Sequence, residues 1–208
     1  QFSRGLEEAH CAASVLSAPD SIAWLLNIRG SDVPNTPLAL GYAVVYRSGD
    51  VDWFIDTRKI RDSIRQNLDS GISIFPPTEF ADRLALLGKS DGAVLVDPAS
   101  APEWVRLTLE TAGAALSAGT DLCALPKARK NSAEISGTRA AHIRDGAALT
   151  TFLAWLFDAG PKGGVTEISA ADYLYECRRT DSRFRGLSFD TISGSGPNGA
   201  IVHYRVTP

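Results

Sequence analysis

The residues that could do chemistry in this chain gather in one stretch, SFDTISGSGPNGAIVHYRVTP, residues 188–208. Two strand-like runs flank a turn containing Gly194, Gly196, Pro197 and Gly199, where glycine permits positive φ or the close approach of another segment. The pattern predicts a hairpin that carries His203, Tyr204 and Arg205 past its turn. An imidazole so placed can donate a hydrogen bond to a developing oxyanion, or can stand as a structural histidine at a strand end. Tyr204 and Arg205 can touch substrate or anchor the hairpin, and anchoring is the simpler role.

Other reactive groups are scattered. His142 has the charged neighbours Arg139 and Arg144, which suits a solvated or capping role better than metal binding, and His10 reads as surface. Arg29 and Asp32 in NIRGSD read as a solvated turn with a local ion pair. Cys11, Cys123 and Cys177 are far apart, with no CxxC and no Cys/His cluster, so neither a zinc site nor a disulfide framework is suggested. No GxSxG is present, and no cysteine has a histidine partner that the sequence can place. Serine and cysteine hydrolysis therefore have no support.

Composition narrows the class of protein. With 208 residues, 44% hydrophobic and 22% charged, the chain has room for one large or two small globular domains. A net charge of -3 gives no sign of a nucleic-acid or membrane-surface partner. No apolar run approaches the roughly 20 residues that span a bilayer. The start lacks a charged segment followed by an apolar one, so no secretory signal is expected. The absence of any methionine hints at a cut or processed chain. The cysteine usage fits a reducing cytoplasm best.

The elements that must position these residues alternate through the first half. ASVLSA is a short apolar strand. Asp20 and Ser21 offer cap chemistry for a helix ending at Gly30. LALGYAVVYRSGDVDWFID reads as a hairpin around Ser48-Gly49-Asp50. Ile60, Ile64 and Leu68 predict a helix over TRKIRDSIRQNLDSG. ISIFPP is a strand stopped by prolines, and Phe80, Leu84 and Leu87 share one side of the next helix. AVLVDP is a buried strand, PEWVRLTLETAG a helix closed by Gly113, and AALSAG a last short strand. The alternation predicts an α/β layer with a mixed sheet.

At DLCALPKARKNSAEISG the character changes, and the run KARK reads as a solvated inter-domain connection. A long helix from about Ser132 to Ala159 follows, with Ile135, Ala141/His142, Leu149, Leu153 and Leu156 as its apolar side. Thr166-Glu167-Ile168-Ser169 then caps a second helix through Cys177. Trp24, Trp53, Trp104 and Trp155 read as core or interface residues.

The segments LLNIRGSDVPNTPLALGYAVV, LPKARKNSAEISGTRAAHIRDGAALTTFLAWL and SFDTISGSGPNGAIVHYRVTP together resemble aminopeptidase P, the Xaa-Pro aminopeptidase of the pita-bread metallopeptidases. The resemblance covers nearly the whole chain. It implies a creatinase-like non-catalytic domain with a mixed sheet over 1–125, followed over 126–208 by the opening part of an incomplete pita-bread α+β catalytic domain. It also implies a homodimer acting on peptides with proline in second position, through a hydroxide bridging a divalent metal pair, often manganese. The family's ligands are two Asp, one His and two Glu, the Asp pair lying eleven positions apart. No two aspartates here have that spacing. The segment is therefore expected to bind no metal and to be inactive alone, its chemistry lying downstream of Pro208.

By the same resemblance, His203 would bind substrate and stabilise the reacting intermediate as the segment's catalytic residue. Arg29 is a candidate for substrate access or domain contact. Leu122 stands where the family often has Pro, and Asn35 where it often has His. A metal-free relative that acts as a peptide-binding or interaction module is the alternative, since fold alone does not decide function.

Overall fold

The computed structural model describes residues 2–207. They form two compact units, one of the residues up to Val33 with Pro37–Arg129, the other of Pro34–Thr36 with the residues from Lys130 on.

The first unit is built on a six-stranded mixed sheet. Its strands are β1 (Cys11–Leu16), β2 (Tyr42–Tyr46), β3 (Val51–Phe54), β4 (Ile72–Phe75), β5 (Ala93–Val96) and β6 (Leu116–Ala118), in the order β4-β3-β2-β1-β5-β6. β1 pairs antiparallel with β2 and parallel with β5, with Val15 opposite Val44 on one side and Val96 on the other. β2 and β3 form the expected hairpin, with Gly49 at φ 99° in its turn, a conformation that glycine alone adopts without strain.

Alternate side chains enter opposite layers, as strand geometry requires. Ala13, Val15, Val44, Phe54, Val94 and Val96 pack with α4 (Phe80–Leu87) and α5 (Glu103–Thr111), which contribute Phe80, Leu84, Leu87, Val105 and Leu109. On the other face Leu16, Ala43, Val45 and Trp53 meet Ile22 of α2 (Pro19–Leu25), Leu26, Ile60 and Cys123. α1 (Phe2–Glu8) adds Leu6 against Cys11 and Leu95.

Three local expectations change. α2 is capped by Ala18 with Pro19 in the first turn and without a side-chain cap bond. It stops early because Asn27 is left-handed (φ 51°) and the Ile28 amide donates to the Ala23 carbonyl at 3.0 Å, a Schellman ending. Between β3 and β4 only α3 (Asp62–Asn67) is α-helical. Ile60 leaves helical geometry (φ −95°, ψ 101°) and buries its side chain under the sheet. Residues 124–128 form α6 (Ala124–Ala128), and Lys127 forms an ion pair with Asp20, so this part of the KARK run belongs to the first unit.

The second unit contains α7 (Ser132–Ala159) and α8 (Glu167–Arg179), each opened by a reciprocal capping box. Asn131 Oδ1 accepts from the Glu134 amide while Glu134 accepts from the Asn131 amide. Thr166 and Ser169 do the same for α8. The helices meet through Trp155 stacked on Tyr173 (4.1 Å) and the Arg178–Asp145 pair (2.7 Å). Neither helix has a buried residue, and Ile135, Leu149 and Leu153 of the expected apolar side stay exposed. The expected closing hairpin is absent. The described residues after α8 contain no strand, only a short 3-10 turn at Gly196–Ala200. A lone two-stranded ribbon is marginal in water, and no third strand is at hand to support it.

Leu84 is fully buried between sheet and helices, whereas Leu86, two positions on, is 57% exposed. Leu84→Ala is expected to lower unfolding stability by about 2–5 kcal/mol, and Leu86→Ala by no more than about 0.5 kcal/mol. Urea unfolding followed by circular dichroism measures both.

Candidate functional site

α8 begins on the Thr166 cap, and its first residue turns away from its own helix. The Glu167 carboxylate accepts from the Ser195 amide at 2.6 Å and from Asn198 Nδ2 at 3.1 Å through Oε1, and from the Tyr204 hydroxyl at 2.7 Å through Oε2. Asn198 also donates to the Tyr204 oxygen at 3.0 Å. The two ends of the glycine-rich turn are thereby tied to one helix terminus. These donors hold the Glu167 carboxyl below its usual range, the Tyr204 hydroxyl contributing most, and donation to the carboxylate pushes the Tyr204 phenol up.

His203 precedes that tyrosine. Its side chain is exposed and its backbone is left-handed (φ 56°), a conformation costing a non-glycine residue of the order of 1–3 kcal/mol. This conformation also rules out a regular strand at His203. His203 lines an open groove of about 770 Å³ with Asn35, Phe189, Asp190, Ile192 and Arg205 among its walls. Within this unit Asn35 Nδ2 donates to Asp190 at 3.0 Å.

Arg29 lies in the first unit and His203 in the second. The Arg29 guanidinium donates to the Ile28 carbonyl at 2.7 Å and to the Ala23 carbonyl at 3.4 Å, satisfying the carbonyl end of α2. The expected Arg29–Asp32 pair is replaced: Asp32 binds Lys59 at 2.6 Å and accepts the Leu40 amide at 2.8 Å. His142 meets the Thr138 carbonyl at 2.9 Å.

Thiol chemistry has no footing at Cys123, whose pKa burial and the adjacent Asp121 push up to about 12. Among the described residues no three His, Cys, Asp or Glu side chains come together as a metal donor set, and no helix is long and apolar enough to cross a membrane. Glu167 is the site residue the sequence reading took only as part of a helix cap. Its partners lie 28 to 37 positions away, and the one local signal was a carboxylate beside a capping Thr.

Residues 1–134 match the Creatinase/Prolidase N-terminal domain and residues 136–208 the Metallopeptidase family M24. The chain belongs to the creatinase/prolidase family, with part of an M24 metallopeptidase domain in its later residues. It resembles Xaa-Pro aminopeptidase P throughout. It is 38% identical over 213 residues to a probable Xaa-Pro aminopeptidase P of Paracoccidioides brasiliensis (strain Pb03), covering 96% of this chain and 34% of that protein. The corresponding protein of Coccidioides posadasii (strain C735) is 38% identical over 206 residues, covering 93% of this chain and 31% of that one. Among solved structures, the X-prolyl aminopeptidase from Caenorhabditis elegans, a cytosolic enzyme with a di-nuclear active site, superimposes with a TM-score of 0.81 at 32% identity, covering 92% of this chain and 32% of that one. A Xaa-Pro dipeptidase from Bacillus anthracis shares the fold (TM-score 0.63, 15% identity, 86% of this chain and 47% of that one). The chain thus spans about a third of the length of the curated relatives it matches.

Because the Glu167 pKa is lowered on folding, the turn's attachment is fully present above the ordinary Glu pKa, about 4.3. It is lost as pH falls through the depressed value. In a pH series of amide NMR spectra the Ser195 resonance is expected to titrate below the ordinary Glu pKa. A midpoint at or above it contradicts the assignment.

Proposed function

We propose that this chain is part of a metal-dependent Xaa-Pro aminopeptidase that removes an N-terminal residue preceding proline. The observation that carries the reading is the exposed His203, held on an anchored turn beside an open groove, in a chain 38% identical to probable Xaa-Pro aminopeptidases P over 96% of its length. Residues 1–125, with α6 carrying the same unit on to Arg129, serve as the creatinase-like domain, and the residues from Lys130 on as the opening part of the pita-bread catalytic domain.

The described residues do not fit a metal pair, because no group of them brings enough donors to one point. In our reading the metals, manganese by preference, are held by other residues of a longer protein. The part of this chain is to bind and orient. His203 offers an imidazole N–H to the oxygen of the scissile peptide as negative charge develops there, an interaction stronger in the transition state than in the ground state. Arg29 presents a surface cation that suits peptide entry or contact with a catalytic domain. The longer protein works as a cytoplasmic homodimer.

The test uses the longer protein carrying this segment, together with the 208-residue chain alone. The longer protein should cleave a Xaa-Pro peptide, lose at least about 100-fold of its rate on chelation and regain it with manganese. His203→Ala should lower kcat about 100- to 1000-fold, the usual cost of one oxyanion donor. The 208-residue chain should not turn over with manganese added. Turnover by that chain, or activity that survives chelation, overturns the metal assignment. Peptide binding without turnover by the longer protein would favour the metal-free binding module.

A further inference from the structure

His203 lies in a turn with almost no apolar packing, so something other than burial must fix where its imidazole points. Residues 201–203 are exposed and the backbone at His203 is left-handed. The local bonds are few: the Asn198 amide to the Ser195 carbonyl, the Ile201 amide to the Asn198 carbonyl, and the Tyr204 amide to the Ile201 carbonyl at 3.3 Å. None of these ties the turn to a rigid element. The bonds that do converge on Glu167. Ser195 enters the turn, Asn198 sits at its centre, and Tyr204 follows His203 directly, and all three donate to the one carboxylate. Its own position is set by the Thr166–Ser169 capping box.

We propose that Glu167 is a positioning residue for His203: its ionised carboxylate fastens both ends of the 195–204 turn to the first turn of α8 and so fixes the backbone from which the imidazole meets substrate. What His203 does rests on the aminopeptidase reading, whereas how it is held does not. All three partners are donors, so an acceptor-only carboxylate satisfies them and an amide, with one acceptor oxygen, does not. A carboxylate at the first position of a helix is also favoured by the helix dipole.

The first arm of the test needs no activity. The chain has three histidines, so the His203 ring resonances can be assigned with His203→Ala. In Glu167→Ala the His203 resonances should shift and Ser195 amide exchange should quicken about tenfold or more, as local opening becomes easier. The Ala170 amide, which bonds to Thr166 inside α8, should stay protected. Tyr204→Phe, which removes one donor and little else, should move the same resonances by less. Unchanged His203 and Ser195 signals in Glu167→Ala overturn the proposal, as does loss of protection throughout α8.

The second arm uses the longer protein and a Xaa-Pro peptide. Glu167→Ala should lower kcat about tenfold or more and leave KM within about threefold. Combined with His203→Ala, it should slow the enzyme no further than His203→Ala alone, as coupled residues do. Losses that multiply would mean Glu167 acts apart from His203 and would overturn the proposal. A longer protein that cleaves no Xaa-Pro peptide sinks the aminopeptidase reading alone, and the first arm still decides how His203 is held.

Discussion

Both faces of the central strands are sealed by helices, and this exclusion of water from two sides at once governs the first unit. Strands β1, β2 and β3 alternate between two separate cores, and β5 between one of them and the cluster of Leu6 and Cys11, so an unpartnered charge there is costly. Asp52 on β3 is the telling exception. It is buried, yet it accepts the Tyr46 hydroxyl at 2.6 Å and pairs with Arg83 at 3.0 Å. Arg83 in turn lies over the Phe75 ring at 4.7 Å. A buried carboxylate is tolerated only when so partnered. Burial and the Asp52 charge push the Tyr46 phenol up to about 12, so its proton stays in place to serve the carboxylate.

The second unit follows a different rule. Its two helices bury no residue, so directed polar contacts take over the task that packing performs in the first unit. Two capping boxes set where α7 and α8 begin, the Arg178–Asp145 pair joins the helices, and the Arg144–Asp181 pair ties α7 to the chain just beyond α8. Each exposed pair contributes little by itself. The turn carrying His203 thus belongs among the easily opened parts of the structure, from which binding segments are commonly drawn.

The same division explains what could be read from the sequence. Phe80, Leu84 and Leu87 were legible because helical spacing and burial coincide there. Ser132–Ala159 was legible as one long helix, although Ile135, Leu149 and Leu153 of the apolar side expected for it are exposed. The β2–β3 hairpin announced itself by its Ser-Gly-Asp turn. Over Thr57–Asn67 the helical period misled, since burial of Ile60 overrides it. After Gly186 the apolar runs suggested strands, but a strand is a property of its neighbours and none is paired there. The order of the strands was out of reach too, because β5 joins β1 across some eighty residues of chain. His203 was singled out from its segment as an expectation. The carboxylate bonded to both ends of its turn was not, because nothing local to Glu167 distinguishes a helix-cap neighbour from an anchor.

That distinction can be made from lone pairs. An ionised carboxylate offers about four acceptor directions, and a hard cation needs several of them, from more than one residue, left open toward one point. In Glu167 three directions already receive N–H or O–H donors from a single turn. Other carboxylates of this unit receive donors as well: Asp145 from Arg178, Asp181 from Arg144 and Arg183, and Glu176 from Arg179. Asp190 receives Asn35. A carboxylate saturated by donors shapes the chain, whereas one with open directions can hold a metal. By that criterion Glu167 shapes the turn that carries His203.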